Sequence, residues 1–163
     1  MNPTNGSSDE RTKGFELRLY TARDEGSLAK LWSTVFSYEQ ARNNPRRVIS
    51  ERIRRGNDGL LVAVTRSKEV VGSTMFGYDG FRGWLYRVAV SPEFRGRGIA
   101  RALVAEAERR LLTAGCSKVN LQVHANNDKA AAFWEHLGFA REPRISLGKE
   151  LNVPSAAGSE AHT

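Results

Sequence analysis

The sequence predicts an α+β (α/β) fold around a mixed, mostly antiparallel sheet of six to seven strands, flanked by about four helices. Three observations predict it. Residues 60–65 (LLVAVT) and 70–78 (VVGSTMFGY) are apolar, β-branched runs separated by a short polar connection, which reads as a hairpin. The longest helical pattern, 97–114, stands between strand-like runs at 84–90 (WLYRVAV) and 118–123 (KVNLQV), as in a parallel crossover. Antiparallel hairpins feeding a parallel pair make the sheet mixed.

The elements follow in order. Residues 15–20 (FELRLY) alternate with the period of a half-buried strand. Asp24 opens a helix with Leu28, Leu31, Trp32, Val35 and Phe36 on one face. Asn44-Pro45 is a helix-start signal. That helix carries Val48, Ile49 and Ile53 inward and Arg46, Arg47, Arg52, Arg54 and Arg55 outward, and stops at Gly56. Asp79-Gly80 turns the chain into strand 84–90. Helix 97–114 repeats Ile99, Leu103, Ala107 and Leu111 at i, i+4 spacing and is closed by Gly115. Residues 128–137 form a short helix, and 139–151 returns as one or two strands. Residues 1–14 lack apolar periodicity and read as a disordered leader, 152–163 as a flexible tail, and 15–151 as the folded domain.

Composition narrows the function. The length of 163 residues suits one domain with its own core. A single cysteine, Cys116, excludes an internal disulfide and a multi-cysteine metal site, so no metal is expected. Neither a membrane span nor a secretory h-region is present, and the expected compartment is the cytoplasm. The formal charge of +7 can steer any polyanion, whether nucleic acid, membrane or phosphorylated cofactor. The arginines between 42 and 55 are not interleaved with aromatic residues, which weighs against single-stranded nucleic acid. The expected partners therefore include neither nucleic acid nor membrane.

The chemically informative stretch is a strand, the linker SPEF, and then RGRGIARALVAEAERRL. A glycine-rich turn entering a helix presents free N–H groups at the positive end of the helix dipole, which favours an anion such as a pyrophosphate. Gly96 and Gly98 leave those groups unshielded, and Arg95, Arg97 and Arg101 add charged donors at the rim. The blander alternative is a tight turn with exposed arginines. No G-x-x-x-x-G-K-[ST] is present. The dinucleotide pattern fails too, because Arg101 takes the third glycine position and no acidic residue ends the next strand.

Arg95-Gly96-Arg97-Gly98-Ile99-Ala100 satisfies the acyl-CoA motif R/Q-x-x-G-x-G/A, and Asn127, Ala130, Gly138 and Phe139 match N-x-x-A-x-x-x-Y-x-x-x-G-F in register. On these two signatures the chain resembles the GNAT N-acetyltransferase superfamily over about 15–150. The stretches GYDGFRG and SLGKEL are similar to bacterial YpeA-type acetyltransferases. The resemblance implies the GNAT acyl-CoA N-acyltransferase fold, acetyl-CoA as the acyl donor, and an acetyltransferase that acts directly on an amine in a ternary complex. The acceptor could be a protein N-terminus, a lysine or a small molecule, and the protein a monomer or homodimer. By the same resemblance, the backbone amides of Arg97, Gly98, Ile99, Ala100 and Arg101 bind the CoA pyrophosphate. Strand 84–90 splays from its parallel neighbour, so that main-chain groups of Val88 and Val90 pair with the pantetheine. An N–H of Val88 or Ala89 polarises the thioester carbonyl, and the Asn127 side chain bonds to the pantetheine.

Two departures bear on catalysis. The second signature has Trp134 where many members have a Tyr that protonates the thiolate, and an indole is no such acid. Trp134 is expected to pack along the cofactor, leaving Tyr86 or Tyr78 as spare acids. No carboxylate lies between Asp79 and Glu93, where some relatives carry a strand Glu as base; Asp79 or Glu39 could act through a water. The favoured reading of Asp79 is a turn former, of His124 and His136 surface residues, and of Cys116 packing. A catalytically weak acyl-CoA sensor or regulator of the same fold stays as the alternative, and a nucleic-acid binder as a third reading.

Overall fold

The computed structural model describes residues 14–36, 43–56 and 59–151. Its elements are β1 (Phe15–Leu19), α1 (Glu25–Val35), α2 (Pro45–Arg54), β2 (Leu60–Thr65), β3 (Val70–Tyr78), β4 (Gly83–Val90), α3 (Ile99–Thr113), β5 (Val119–Asn120) and α4 (Asp128–His136). The strands form one sheet in the order β1-β2-β3-β4-β5. The first three pairings are antiparallel and β4–β5 is parallel. The α+β class and the mixed sheet are as the sequence predicts.

The chain divides into two compact units, Met1–Ala125 and Asn126–Thr163. The sheet and α1–α3 belong to the first. Strand alternation sorts its core into two layers. Leu60, Val62 and Val64 of β2 cluster with Leu28, Leu31 and Trp32 of α1 and Ile49 of α2. Trp32 is fully buried and satisfies its indole by donating Nε1–H to Ser73 Oγ at 2.7 Å. On the other face α3 buries Ile99, Leu103, Ala107 and Leu111. Gly72 is required there, since a side-chain carbon added to it would lie 2.6 Å from Ile99 Cγ2. Cys116 is buried beyond the end of α3, its thiol donating to the Lys118 carbonyl at 3.1 Å.

Before α1, Asp24 is 3% exposed and accepts from both terminal nitrogens of Arg18, at 2.7 and 2.8 Å, and from Thr21 N–H at 2.8 Å. Burial alone would raise its pKa, but the bonds from Arg18 and Thr21 outweigh it and hold the carboxylate below its ordinary value.

Four expectations differ from the fold. Among the described residues the sheet has five strands rather than six or seven. The last segment, 139–151, carries no strand; alternation at Ile145 and Leu147 is present, but Pro143 lacks an N–H and both apolar side chains are exposed. Strand 118–123 contracts to Val119–Asn120. Ile53 faces solvent at 41% exposure, and residues 53–56 are all exposed. In the second unit α4 is followed by irregular chain up to Leu151.

Candidate functional site

Two irregularities of β4 define the site. Between the pairs Ser73↔Ala89 and Met75↔Tyr86, β3 supplies only Thr74, while β4 supplies Arg87 and Val88. This is a β-bulge, which turns main-chain polar groups out of the ladder and re-aims neighbouring side chains. Its first residue, Arg87, has φ 47°, in the left-handed region that non-glycine residues seldom occupy. On its other edge β4 pairs with β5 only at Gly83↔Val119 and Trp84↔Asn120. Val88, Ala89 and Val90 therefore lie at and just after the bulge, on a stretch where the β5 ladder has already ended.

From Val90 the chain runs through a 3-10 turn, Pro92–Phe94, into the glycine turn. Gly96 and Gly98 both take positive φ, 75° and 77°, so residue type is dictated by backbone geometry here. Gly98 is the N-cap of α3 and has no side chain with which to cap it. The first helical bond of this end is Ala102 N–H to the Gly98 carbonyl at 3.0 Å. The N–H groups of Ile99, Ala100 and Arg101 thus precede the helical ladder. A side-chain carbon added at Gly96 or Gly98 would meet nothing within 4 Å, so the space above the turn is open. Arg95, Arg97 and Arg101 are exposed around it. Arg97 is held in place, donating to the Glu93 carbonyl at 3.3 Å and lying 4.8 Å from the Phe94 ring centroid.

The acid and base candidates fall out unequally. Tyr86 directly precedes the bulge, is 49% exposed, and stacks on Trp84 at 6.3 Å between ring centroids. Partial burial, and secondarily the charge of Asp79, push its pKa up, with Arg52 opposing. It is therefore a protonated phenol at neutral pH, suited to donate a proton. Tyr78 is occupied, its hydroxyl 3.1 Å from the Gly80 carbonyl and 3.4 Å from that of Gly115. Asp79 Oδ1 accepts from the N–H groups of Phe81 and Arg82, both at 2.7 Å. Those backbone bonds, Arg82's first, hold the exposed carboxyl below its ordinary pKa, which makes it a turn former and a weak base. Glu39 lies outside the described residues.

In the second unit, Asn127 caps α4, its Oδ1 accepting from Ala130 N–H at 3.0 Å. Trp134 is half-buried between Phe133 and Phe139, edge-on to both at 5.1 and 5.2 Å.

Two features escape sequence reasoning. One is the bulge, whose left-handed residue is an arginine and carries no glycine signal. The other is an open cavity of about 370 Å³ lined by Arg47, Val48, Glu51, Arg52, Arg55 and Met75. Its arginines are visible in the sequence, and the i, i+4, i+8 spacing of 47, 51 and 55 puts three of its residues on one helix face. The cavity itself depends on where β3 runs beneath them. Among the described residues, no group of three or more His, Cys, Asp or Glu could hold a metal, and no helix is long and apolar enough to cross a membrane.

A bulged strand, a glycine turn and an uncapped helix end in this order define an acyltransferase of the GNAT type. The Acetyltransferase (GNAT) family profile matches residues 25–139, and the chain belongs to that family. An acetyltransferase of Pectobacterium atrosepticum is 38% identical over 137 residues, which is 84% of this chain and 96% of that protein. The PaiA N-acetyltransferase of Thermoplasma acidophilum, solved in complex with coenzyme A, superposes with a TM-score of 0.68 at 20% identity, over 80% of this chain and 92% of that one. Glucosamine-6-phosphate N-acetyltransferase of Arabidopsis thaliana gives a TM-score of 0.63 at 20% identity, over 85% and 99% of the two chains. These last two likenesses concern the fold.

Proposed function

We propose that this chain transfers the acetyl group of acetyl-CoA directly to a primary amine, of a protein or a small molecule, within a ternary complex. The observation that carries it is the uncapped, glycine-led N-terminus of α3, reached from a bulged strand and open to solvent. A diphosphate fits this turn chemically. The N–H groups of Arg97, Gly98, Ile99, Ala100 and Arg101 would receive it at the positive helix end, with Arg95 and Gly96 completing the motif. Main-chain groups of Val88 and Val90 would pair with the pantetheine as an added strand. The family motif assigns Asn127 and Trp134 to the cofactor as well, with the Asn127 Oδ1 already capping α4.

The reaction needs a positioned carbonyl, a neutral amine and a proton for the departing sulfur. The amine nitrogen forms the new C–N bond as the C–S bond breaks. The amine's proton goes to water or a base reached through water, and the sulfur takes a proton. An N–H at Val88 or Ala89 would stabilise the developing oxyanion. Tyr86 would supply the proton to sulfur, and positioning carries much of the remaining rate. Residues 15–151 would make up the catalytic domain, acting in the cytoplasm.

The test is an amine panel with acetyl-CoA, following free thiol, alongside thermal stabilisation by acetyl-CoA. Stabilisation together with amine-dependent thiol release is expected. Stabilisation without release for any amine would instead favour the sensor or regulator. Absence of both would remove the proposal.

A further inference from the structure

The cavity over β3 sits close to the reacting strand. Met75 forms part of its wall and is the register partner of Tyr86, the residue immediately before the bulge. The other walls come from one face of α2: Arg47, Arg52 and Arg55, with Val48 and Glu51. Three guanidinium groups meet a single carboxylate, so the lining carries a surplus of positive charge. That carboxylate is already engaged, since Glu51 pairs with Arg54 and lies 3.9 Å from Arg55 Nε. Arg52 is held at the cavity by a bond from Nη2 to the Phe76 carbonyl at 3.1 Å, and its charge is felt at the Tyr86 hydroxyl. Val48 and Met75 add a short apolar surface to the lining.

We propose that this cavity receives the acceptor and selects amines that carry a carboxylate, the anion meeting Arg47, Arg52 and Arg55 while a short alkyl spacer lies along Val48 and Met75. The inference rests on the acetyl-transfer reading, and it adds to that reading the class of acceptor. Guanidinium forks pair with carboxylates in a geometry that an isosteric carboxamide does not reproduce, so discrimination should follow charge. The cavity is open, so water screens each pair, and the preference should be moderate rather than absolute.

The experiment compares γ-aminobutyrate with γ-aminobutyramide as acceptors at saturating acetyl-CoA. The carboxylate is expected to have a kcat/KM higher by about tenfold, carried mainly by KM. In the Arg47→Glu, Arg55→Glu double variant that ratio should fall toward one, while Arg55→Lys retains part of it. A ratio near one in the unaltered protein, or a ratio that survives the double variant, overturns the proposal. If neither amine releases thiol, acetyl transfer to such amines fails as a readout. The cavity is then decided by calorimetric titration of the CoA-saturated protein with glutarate. Saturable binding that the double variant loses supports the site, and its absence overturns it.

Discussion

Arg87 holds φ 47° at the β4 bulge while its guanidinium lies 4.9 Å from the centroid of the Trp32 ring. The same group sits 5.4 Å from the Phe36 ring and donates to the Asn43 carbonyl at 3.2 Å. The strained backbone is thus tied to α1 and to the start of α2 by its own side chain. This separates two contributions. Arg87→Gly relieves the left-handed strain but loses the aromatic contact, whereas Arg87→Ala loses the contact and keeps the strain. Arg87→Ala should therefore unfold more easily than Arg87→Gly by about 1–2 kcal/mol, read from denaturant midpoints at equal m-value. Equal midpoints would mean that the bulge is not strained.

The turn before α3 gives the second prediction. Gly98 has φ 77° and open space where a side chain would go. Gly98→Leu should cost roughly 1–2 kcal/mol from backbone strain alone, leaving the protein folded. The new side chain would occupy the space assigned to the diphosphate. Acetyl-CoA at about a hundred times its Kd should stabilise the unaltered protein by about 2.7 kcal/mol and the variant hardly at all. A variant that still gains the full increment would show that the turn does not hold the donor.

What could be read from the residues follows what backbone geometry demands of residue type. Gly96 and Gly98 occupy positive φ, which only glycine adopts freely, so the turn is written in the sequence. The β2–β3 hairpin is equally plain, with Leu60–Thr65 and Val70–Tyr78 ending where the apolar runs end. Asp79 also falls as its type suggests, accepting two backbone N–H groups in the turn. The bulge is different. Its left-handed residue is an arginine held there by Trp32, Phe36 and Asn43, all distant in sequence. Ile53 misleads for a related reason, since periodicity gives a helix face but not how far along the helix that face stays covered. Alternation at 145 and 147 gives a strand period, but a strand also needs a partner's ladder.

Tyr86 carries the third prediction. Tyr86→Phe removes the hydroxyl while keeping the stack on Trp84. If the phenol protonates the leaving sulfur, kcat should fall by about a hundredfold with KM little changed. The pH dependence has a fixed sign. An acid must be protonated to act, and burial raises the Tyr86 pKa, so its limb should fall only above the ordinary tyrosine value of about 10. The Phe variant should lack that alkaline limb. An unchanged profile and rate would return protonation of the sulfur to water.

The fourth prediction concerns the ion pair that seats α1. Asp24 is buried with Arg18 bonded to both its oxygens, and its pKa is lowered because those bonds and Thr21 outweigh desolvation. The folded value lies below the unfolded one, near 3.9, so between them the unfolded chain binds more protons. The pair's contribution is therefore fully present above the unfolded pKa and is lost as pH falls through the folded value. Asp24→Ala should destabilise by roughly 2–4 kcal/mol at neutral pH, since it leaves Arg18 and the Thr21 N–H without their acceptor. Its stability should also decline less steeply than that of the unaltered protein on acidification below about pH 4. Urea midpoints measured across that range decide the matter: parallel curves for the two proteins would show that this carboxylate does not govern acid unfolding.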